Sequence, residues 1–249
     1  LTDAVTGHLA ILGLGPGDPR LITPQTAAAL EHAQDLIGYA PYLARIPENP
    51  SQTRHPSDNR VELDRARLAL TLASQGRRVA VVSGGDPGVF GMASAVFEAL
   101  ESGPAAWRTL DIQVLPGVSA MLAAAARLGA PLGHDFAVIS LSDNLKPWPL
   151  VLQRLSAAAA AGFVIALYNP ASKARPWQLG AAFEALRAIL PPTIPVAFAT
   201  AITRPDERVA ITTLHQADPA LADMRTVVLI GTSASRTIGP FLYTPRSAA

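Results

Sequence analysis

Apolar positions along the chain alternate between two kinds of run. Short stretches such as LAILGLG (9–15), DLIGY (35–39), RVAVVS (78–83) and LDIQVLPG (110–117) read as strands, and RVAVVS is continuously apolar, the pattern of a strand covered on both faces in a parallel sheet. Between them lie segments with helical spacing. TPQTAAALEHAQ (23–34) opens on an N-cap Thr with Pro in its first turn, VELDRARLALTLASQG (61–76) ends at Gly76, and GVFGMASAVFEALES (88–102) follows the third strand. The segment 41–60, PYLARIPENPSQTRHPSDNR, has neither pattern and is expected to be a long excursion. This strand-helix rhythm predicts a mainly parallel sheet with helices on its faces.

From about residue 118 the rhythm changes. Helices are expected at 118–129, 147–161 and 171–190 and strands at 136–142 and 162–168, followed by three strand candidates with little helix between them, at 195–202, 208–214 and 226–231. Strands in succession favour antiparallel pairing. The chain is therefore expected to be α/β in class, with a parallel N-terminal domain over 1–117 and a mixed or antiparallel α+β C-terminal domain over 118–249. A cleft between two such domains is a common place for a small-molecule site.

Composition narrows the chemistry. The 249 residues are 49% hydrophobic and 16% charged, with a formal net charge of +1. That balance argues against a broad nucleic-acid footprint, and no apolar run reaches the ~18 residues of a membrane span. A cytoplasmic protein without nucleic-acid or membrane partners is expected. There is no cysteine, so thiolate chemistry and Cys-ligated metal are excluded. The five His residues stand far apart, and no metal site is expected. Of the 20 basic residues all but Lys146 and Lys173 are Arg, a side chain suited to bidentate carboxylate contacts.

Two loops follow strands and carry Gly-Asp-Pro: GLGPGDPRLI (13–22) and SGGDPGVFGMA (83–93). A dinucleotide fingerprint would need a third Gly at position 18, which is Asp18, and a phosphate loop would need Lys and a hydroxyl where Asp18 and Pro19 stand. An acidic residue there repels phosphate. Asp86, Gly84 and Gly85 instead suit a ligand with a ribose, an amino-acid end and no phosphate, and S-adenosylmethionine is such a ligand.

The ordered set GLGPGDPRLIT (13–23), SGGDPGVFGMA (83–93), PGVSA (116–120), YNPASKARPWQL (168–179) and VLIGTSAS (228–235) resembles the tetrapyrrole methylases, two-domain S-adenosylmethionine-dependent methyltransferases of corrin and porphyrin synthesis. Within the family, IGYAPYL (37–43), SLSDNLKPW (140–148) and YNPASKARPWQL are most similar to the branch that methylates a precorrin at C(17) and contracts its ring. The resemblance implies a homodimer with its active site in the interdomain cleft. Methyl-donor contacts are implied at Gly84, Gly85, Asp86, Val89, Ser119, Ala120, Tyr168, Asn169, Ala201, Ile202 and Thr203. The first loop, with Gly15 and Pro16, is implied to face the tetrapyrrole, and Arg45 and Arg175 to hold its carboxylates. Arg54, His55, Arg60, Lys146 and Lys173 are further basic candidates for those carboxylates. Proton traffic is assigned to Asp18, Asp143 and Lys146, with His134 as a further candidate. Two alternatives stay open: the same fold with another acceptor (a different tetrapyrrole, a protein or ribosomal RNA), and a nucleotide-binding oxidoreductase.

Overall fold

The structure, a computed structural model, describes residues 7–58, 61–172 and 174–247. It divides into two compact units, Leu1–Ser119 and Ala120–Ala249.

The first unit contains β1 (His8–Gly13), α1 (Pro24–His32), β2 (Asp35–Tyr39), α2 (Ala40–Leu43), β3 (Thr53–Ser57), α3 (Glu62–Ser74), β4 (Arg78–Ser83), α4 (Met92–Ser102) and β5 (Asp111–Leu115). Its five strands are ordered β3-β2-β4-β1-β5 and every pairing is parallel. The continuous apolar runs are explained by two cores, one on each sheet face. Leu9, Ile11, Ile37, Val79 and Val81 pack with α3 and α4, while Leu12, Leu36, Ala80 and Val82 pack with Leu30 and Leu43 on the other side. Thr23 caps α1 as its sequence suggests, accepting from the Thr26 N–H at 3.1 Å.

Two local expectations differ. The excursion at 41–60 contains α2 and the edge strand β3, whose sequence TRHPS has no apolar signal because only one of its edges pairs and Pro56 is tolerated there. The helix expected from residue 88 begins at Met92. Asp86 takes the Gly88 N–H, and Phe90 sits at φ 53°, so the intervening residues form a turn.

The second unit contains α5 (Ala120–Leu128), β6 (Gly129–Ala130), β7 (Phe136–Ser140), α6 (Trp148–Ala160), β8 (Val164–Tyr168), α7 (Gln178–Arg187), β9 (Pro195–Thr200), β10 (Arg208–Thr213), β11 (Thr226–Ile230), β12 (Arg236–Ile238) and β13 (Phe241–Tyr243). Its main sheet is mixed, in the order β10-β9-β11-β8-β7: β7 and β8 are parallel, and the pairings among β8, β11, β9 and β10 are antiparallel. The core gathers Leu155, Phe183, Val196 and Phe198 with the α6 and α7 faces. The helix expected over 171–190 starts only at Gln178, after a bridged turn between Ser172 and Arg175 and the helix-breaking Pro176. A three-stranded sheet, β12-β13-β6, is unforeseen, since strands of two or three residues carry no readable period. Among the described residues no helix is long and apolar enough to cross a membrane.

Backbone crowding fixes the loops at the carboxyl ends of the first unit's strands. Gly15 and Gly85 form an antiparallel bridge, each N–H donating to the other's carbonyl at 3.1 and 2.9 Å. A Cβ on Gly117 would lie 2.3 Å from the Gly85 oxygen, and one on Gly13 would lie 2.6 Å from the same atom. Elsewhere in the unit a buried charge is held by two bases: the Asp35 carboxylate meets His55 Nε2 at 2.8 Å and is also bonded by Arg77 Nε. Burial alone would push the Asp35 carboxyl up, but the bonds from Arg77 and His55 together outweigh it and hold it below the usual range.

Gly117→Ala is expected to cost about 3 kcal/mol, because backbone cannot yield to the new methyl. Gly180→Ala, where the nearest contact to an added Cβ is an ordinary 3.7 Å, should stabilise by up to about 1 kcal/mol because alanine favours helix; urea midpoints separate the two. Asp35→Asn should cost about 2 kcal/mol at neutral pH. A carboxyl whose folded pKa is depressed contributes stability above its unfolded value of about 3.9, and loses it as pH falls through the folded value. The gap between wild type and Asp35→Asn should therefore close below about pH 4.

Candidate functional site

The glycine loops of the first unit are organised from within. Asp86 spends both carboxylate oxygens on backbone: Oδ1 accepts from the Gly88 N–H at 2.8 Å and Oδ2 from the Gly117 N–H at 3.0 Å. One side chain thus closes its own turn and ties the loop after β4 to the loop after β5. Gly84 lies against the Tyr42 ring, where a Cβ would approach to 2.9 Å, and the Val89 N–H closes the turn onto the Asp86 carbonyl at 3.3 Å. Ser119 is buried at the end of this unit. No basic side chain occurs between residues 83 and 93, which suits a ligand that carries ribose and amino-acid groups and no phosphate.

The first loop is held by Arg45, whose Nη2 donates to the carbonyls of Leu14 and Gly15 at 2.8 and 3.1 Å. Pro16 is buried beside Gly15, which has φ 66°. Asp18 caps a short 3-10 turn by accepting from the Arg20 N–H at 2.9 Å, and its two oxygens are also gripped by the Arg20 guanidinium. Hydrogen bonding from Arg20 holds the Asp18 carboxyl below the usual carboxylate range. It is therefore ionised at neutral pH, a form suited to accepting bonds and unable to donate a proton. The other basic candidates of this unit are also engaged. Arg54 donates to the carbonyls of Leu43, Ile46 and Pro47, and His55 faces Asp35. Arg60 lies outside the described residues.

In the second unit the carboxyl ends of β7 and β8 lie side by side, since Ser140 registers with Tyr168. Asn169 Nδ2 donates to Ser140 Oγ at 2.9 Å. The Tyr168 hydroxyl accepts from the Met121 N–H at 2.9 Å, one of the N-terminal amides of α5, the helix that Ala120 opens. Asp143 and Lys146 follow β7 in one loop. Asp143 Oδ1 lies 3.8 Å from Arg175 Nε and accepts from Gln178 Nε2 at 3.4 Å. Burial lowers the Lys146 ammonium pKa, and Arg154 adds to the effect. His134 precedes β7 and so lies at the opposite end of that strand, paired loosely with Asp135 at 3.7 Å; the strand does not bring it to Asp143. Lys173 lies outside the described residues.

Backbone strain picks out the same loops. Among the described residues the non-glycine positions with positive φ are Phe90, Asn169, Ala201 and Thr203, at 53°, 52°, 50° and 65°. For Phe90, Ala201 and Thr203 that region costs about 1–2 kcal/mol, while Asn169 tolerates it better, and such strain clusters where a site is pre-organised. Asn169, Ala201 and Thr203 are donor contacts expected from sequence; Ile202 between them is buried. Phe90 was missed. It is an exposed aromatic next to Val89, and that placement in a ligand-type loop was the available signal. Ser140 and Gln178 were also missed, because an isolated Ser or Gln at a strand or helix end has no pattern of its own.

In each unit the loops offer backbone groups and short polar side chains, and the first unit adds one exposed aromatic, Phe90. Among the described residues no group of His, Asp and Glu is placed to hold a metal ion.

The chain is similar to known proteins along most of its length. The chain is 57% identical over 247 residues to a Sinorhizobium precorrin-3B C(17)-methyltransferase, covering 97% of each. It is 37% identical to a probable cobalt-factor III C(17)-methyltransferase of Salmonella typhimurium, covering 96% of this chain and 98% of that one. Its fold matches the crystal structure of the methyltransferase CobJ with a TM-score of 0.94 and 54% identity, over 96% of this chain and 100% of that one. The family model of tetrapyrrole (corrin/porphyrin) methylases matches residues 8–218, and the chain belongs to that family.

Proposed function

We propose that this enzyme transfers a methyl group from S-adenosylmethionine to C(17) of precorrin-3B and contracts the ring to give precorrin-4 in cobalamin biosynthesis. The observation that carries the reading is the 57% identity extending over 97% of both chains. A nucleotide-binding oxidoreductase is incompatible with membership of a methylase family. The identity of 57% to a precorrin enzyme against 37% to a cobalt-factor enzyme favours a metal-free substrate. We read the protein as a cytoplasmic homodimer without nucleic-acid or membrane partners.

The sulfonium of the donor supplies an already activated methyl group, so the protein's task is to orient donor and acceptor and to exclude water. Neither a nucleophilic side chain nor a metal is required of the chain. In this reading Gly84, Gly85, Asp86, Val89, Ser119, Ala120, Tyr168, Asn169, Ala201, Ile202 and Thr203 serve the donor. Asp86 does so by fixing the loops after β4 and β5 relative to each other, and Tyr168 by capping α5. Gly15, Pro16 and Arg175 face the tetrapyrrole. Arg45 contributes by holding the carbonyls of the first loop. Ring contraction calls for proton transfer, for which Asp143 and Lys146, whose pKa burial lowers, are the candidate groups, with Asp18 limited to accepting.

Incubation with S-adenosylmethionine and precorrin-3B should yield a product heavier by one methyl with the contracted-ring spectrum. Absence of turnover with precorrin-3B, alongside turnover of the cobalt-bearing counterpart, would move the enzyme to the other branch. Asp86→Ala frees two amides bonded to a charged acceptor, each such bond being worth about 1.5–3 kcal/mol. It should raise the Kd for S-adenosylhomocysteine by about tenfold or more. Asp18→Ala should leave that Kd within about twofold while lowering turnover; calorimetric titration of both variants distinguishes the roles.

A further inference from the structure

The turn after β9 raises a conformational problem. It holds Ala201 at φ 50° and Thr203 at φ 65° within three residues, and for β-branched Thr203 that backbone is an outlier. No glycine occurs between residues 195 and 210 to relieve it. Bonds within the backbone account for part of the turn: the Ala201 N–H donates to the Arg225 carbonyl at 3.0 Å, and the Arg204 N–H to the Ala201 carbonyl at 2.9 Å. The Thr203 N–H is directed elsewhere, to the side chain of Glu207, with Oε2 accepting at 2.7 Å.

Glu207 is in turn held by Arg127 on α5. Arg127 Nε lies 2.6 Å from Oε1, and Nη2 donates to Oε2 at 3.3 Å. The carboxylate side chain is 20% exposed, so it is partly shielded from solvent on the turn it serves. The link spans 80 residues of sequence and joins two segments, α5 and the turn at 201–203, that both carry proposed donor contacts. An ordinary surface pair such as Asp64 with Arg67, one turn apart on α3 and exposed on both sides, does nothing comparable and contributes little.

We propose that Glu207 and Arg127 are positioning residues of the methyl-donor site. Glu207 takes the Thr203 amide and holds the turn with Ala201 and Thr203 in left-handed backbone, and Arg127 fixes Glu207 against α5. The inference rests on the reading that residues 201–203 contact the donor. Without the carboxylate the turn relaxes to common backbone conformations, and the apparent Kd rises in inverse proportion to the fraction still competent to bind. The effect falls on affinity, because the turn is a local element whose release leaves the β9-β11 core paired.

Calorimetric titration with S-adenosylhomocysteine tests this on the full chain. Glu207→Ala should raise Kd about tenfold, equivalent to ~1.4 kcal/mol. Glu207→Gln, which keeps an acceptor for the Thr203 N–H and loses the ion pair, and Arg127→Gln should each raise it about threefold. Arg67→Gln, on the exposed α3 pair, should leave it unchanged. Hydrogen exchange at the Thr203 amide should accelerate in Glu207→Ala while KM for the donor rises and kcat holds within about twofold. If Glu207→Ala does not fold, Glu207→Gln and Arg127→Gln carry the test. Wild-type affinity in all these variants, or a lowered thermal midpoint with unchanged Kd, overturns the proposal while leaving the donor site standing. A wild-type protein that binds no S-adenosylhomocysteine overturns the donor reading itself, and this inference with it.

Discussion

The close approach of three backbone segments at the carboxyl ends of the first unit's parallel strands is the constraint on which its candidate site depends. Gly13 at the end of β1 and Gly85 and Gly117 in loops come from segments far apart in sequence, and the Gly85 carbonyl lies where a side chain on either of the others would have to go. The Gly15-Gly85 bridge and the bond from Gly117 to Asp86 then use the hydrogen-bonding groups that this approach brings together. The glycines are required by contact distance as much as by backbone freedom. Such an arrangement forms only if β1, β4 and β5 are neighbours, as the order β4-β1-β5 makes them. The fold thus creates the site before any ligand-contacting side chain is considered.

Charge is used mainly to fasten backbone. Arg45 holds the carbonyls of the first loop, Arg54 three carbonyls around α2, and buried Arg65 the Ser57 hydroxyl, the Asp58 carbonyl and the Met92 sulfur. Desolvation lowers the Arg65 pKa and outweighs the opposing pull of the nearby Glu62 charge, yet arginine remains charged under any ordinary condition. An arginine with several carbonyl partners is a rigid strut, and so the excess of Arg over Lys has a structural use apart from any anionic substrate. Arg175, beside Asp143 and ahead of α7, is the basic residue whose surroundings still resemble a ligand-facing position.

Much of this was legible in the sequence where a local rule and the tertiary environment ask for the same residues. The runs at 35–39 and 78–83 coincide with β2 and β4 because strands covered on both faces must be apolar throughout. The edge strand β3 and the small β12-β13-β6 sheet escaped because exposed or very short strands need no apolar period. The Gly-Asp-Pro loops marked the candidate positions of the first unit, but the partners of Asp86 were hidden. A carboxylate that might accept from a ligand's hydroxyl reads the same as one that accepts from Gly88 and Gly117, and only the fold separates the two. His55 and Arg54 looked like anion binders for the same reason: the carboxylate and the carbonyls they serve are recruited from distant sequence.

Strain at Asn169, Ala201 and Thr203 was invisible for a related cause. A sequence announces left-handed backbone through glycine, and none stands at these positions. Glycine would remove the steric cost, but it would also leave the unliganded loop free to sample many other conformations. A residue that is disfavoured in the left-handed region, and held there by a specific bond, concentrates the population in one geometry as long as the bond lasts. Thr203 bonded to Glu207 follows that arrangement. Rigidity of this kind is contributed by the residues behind the loop, which is why the residues that govern a ligand's fit need not touch it.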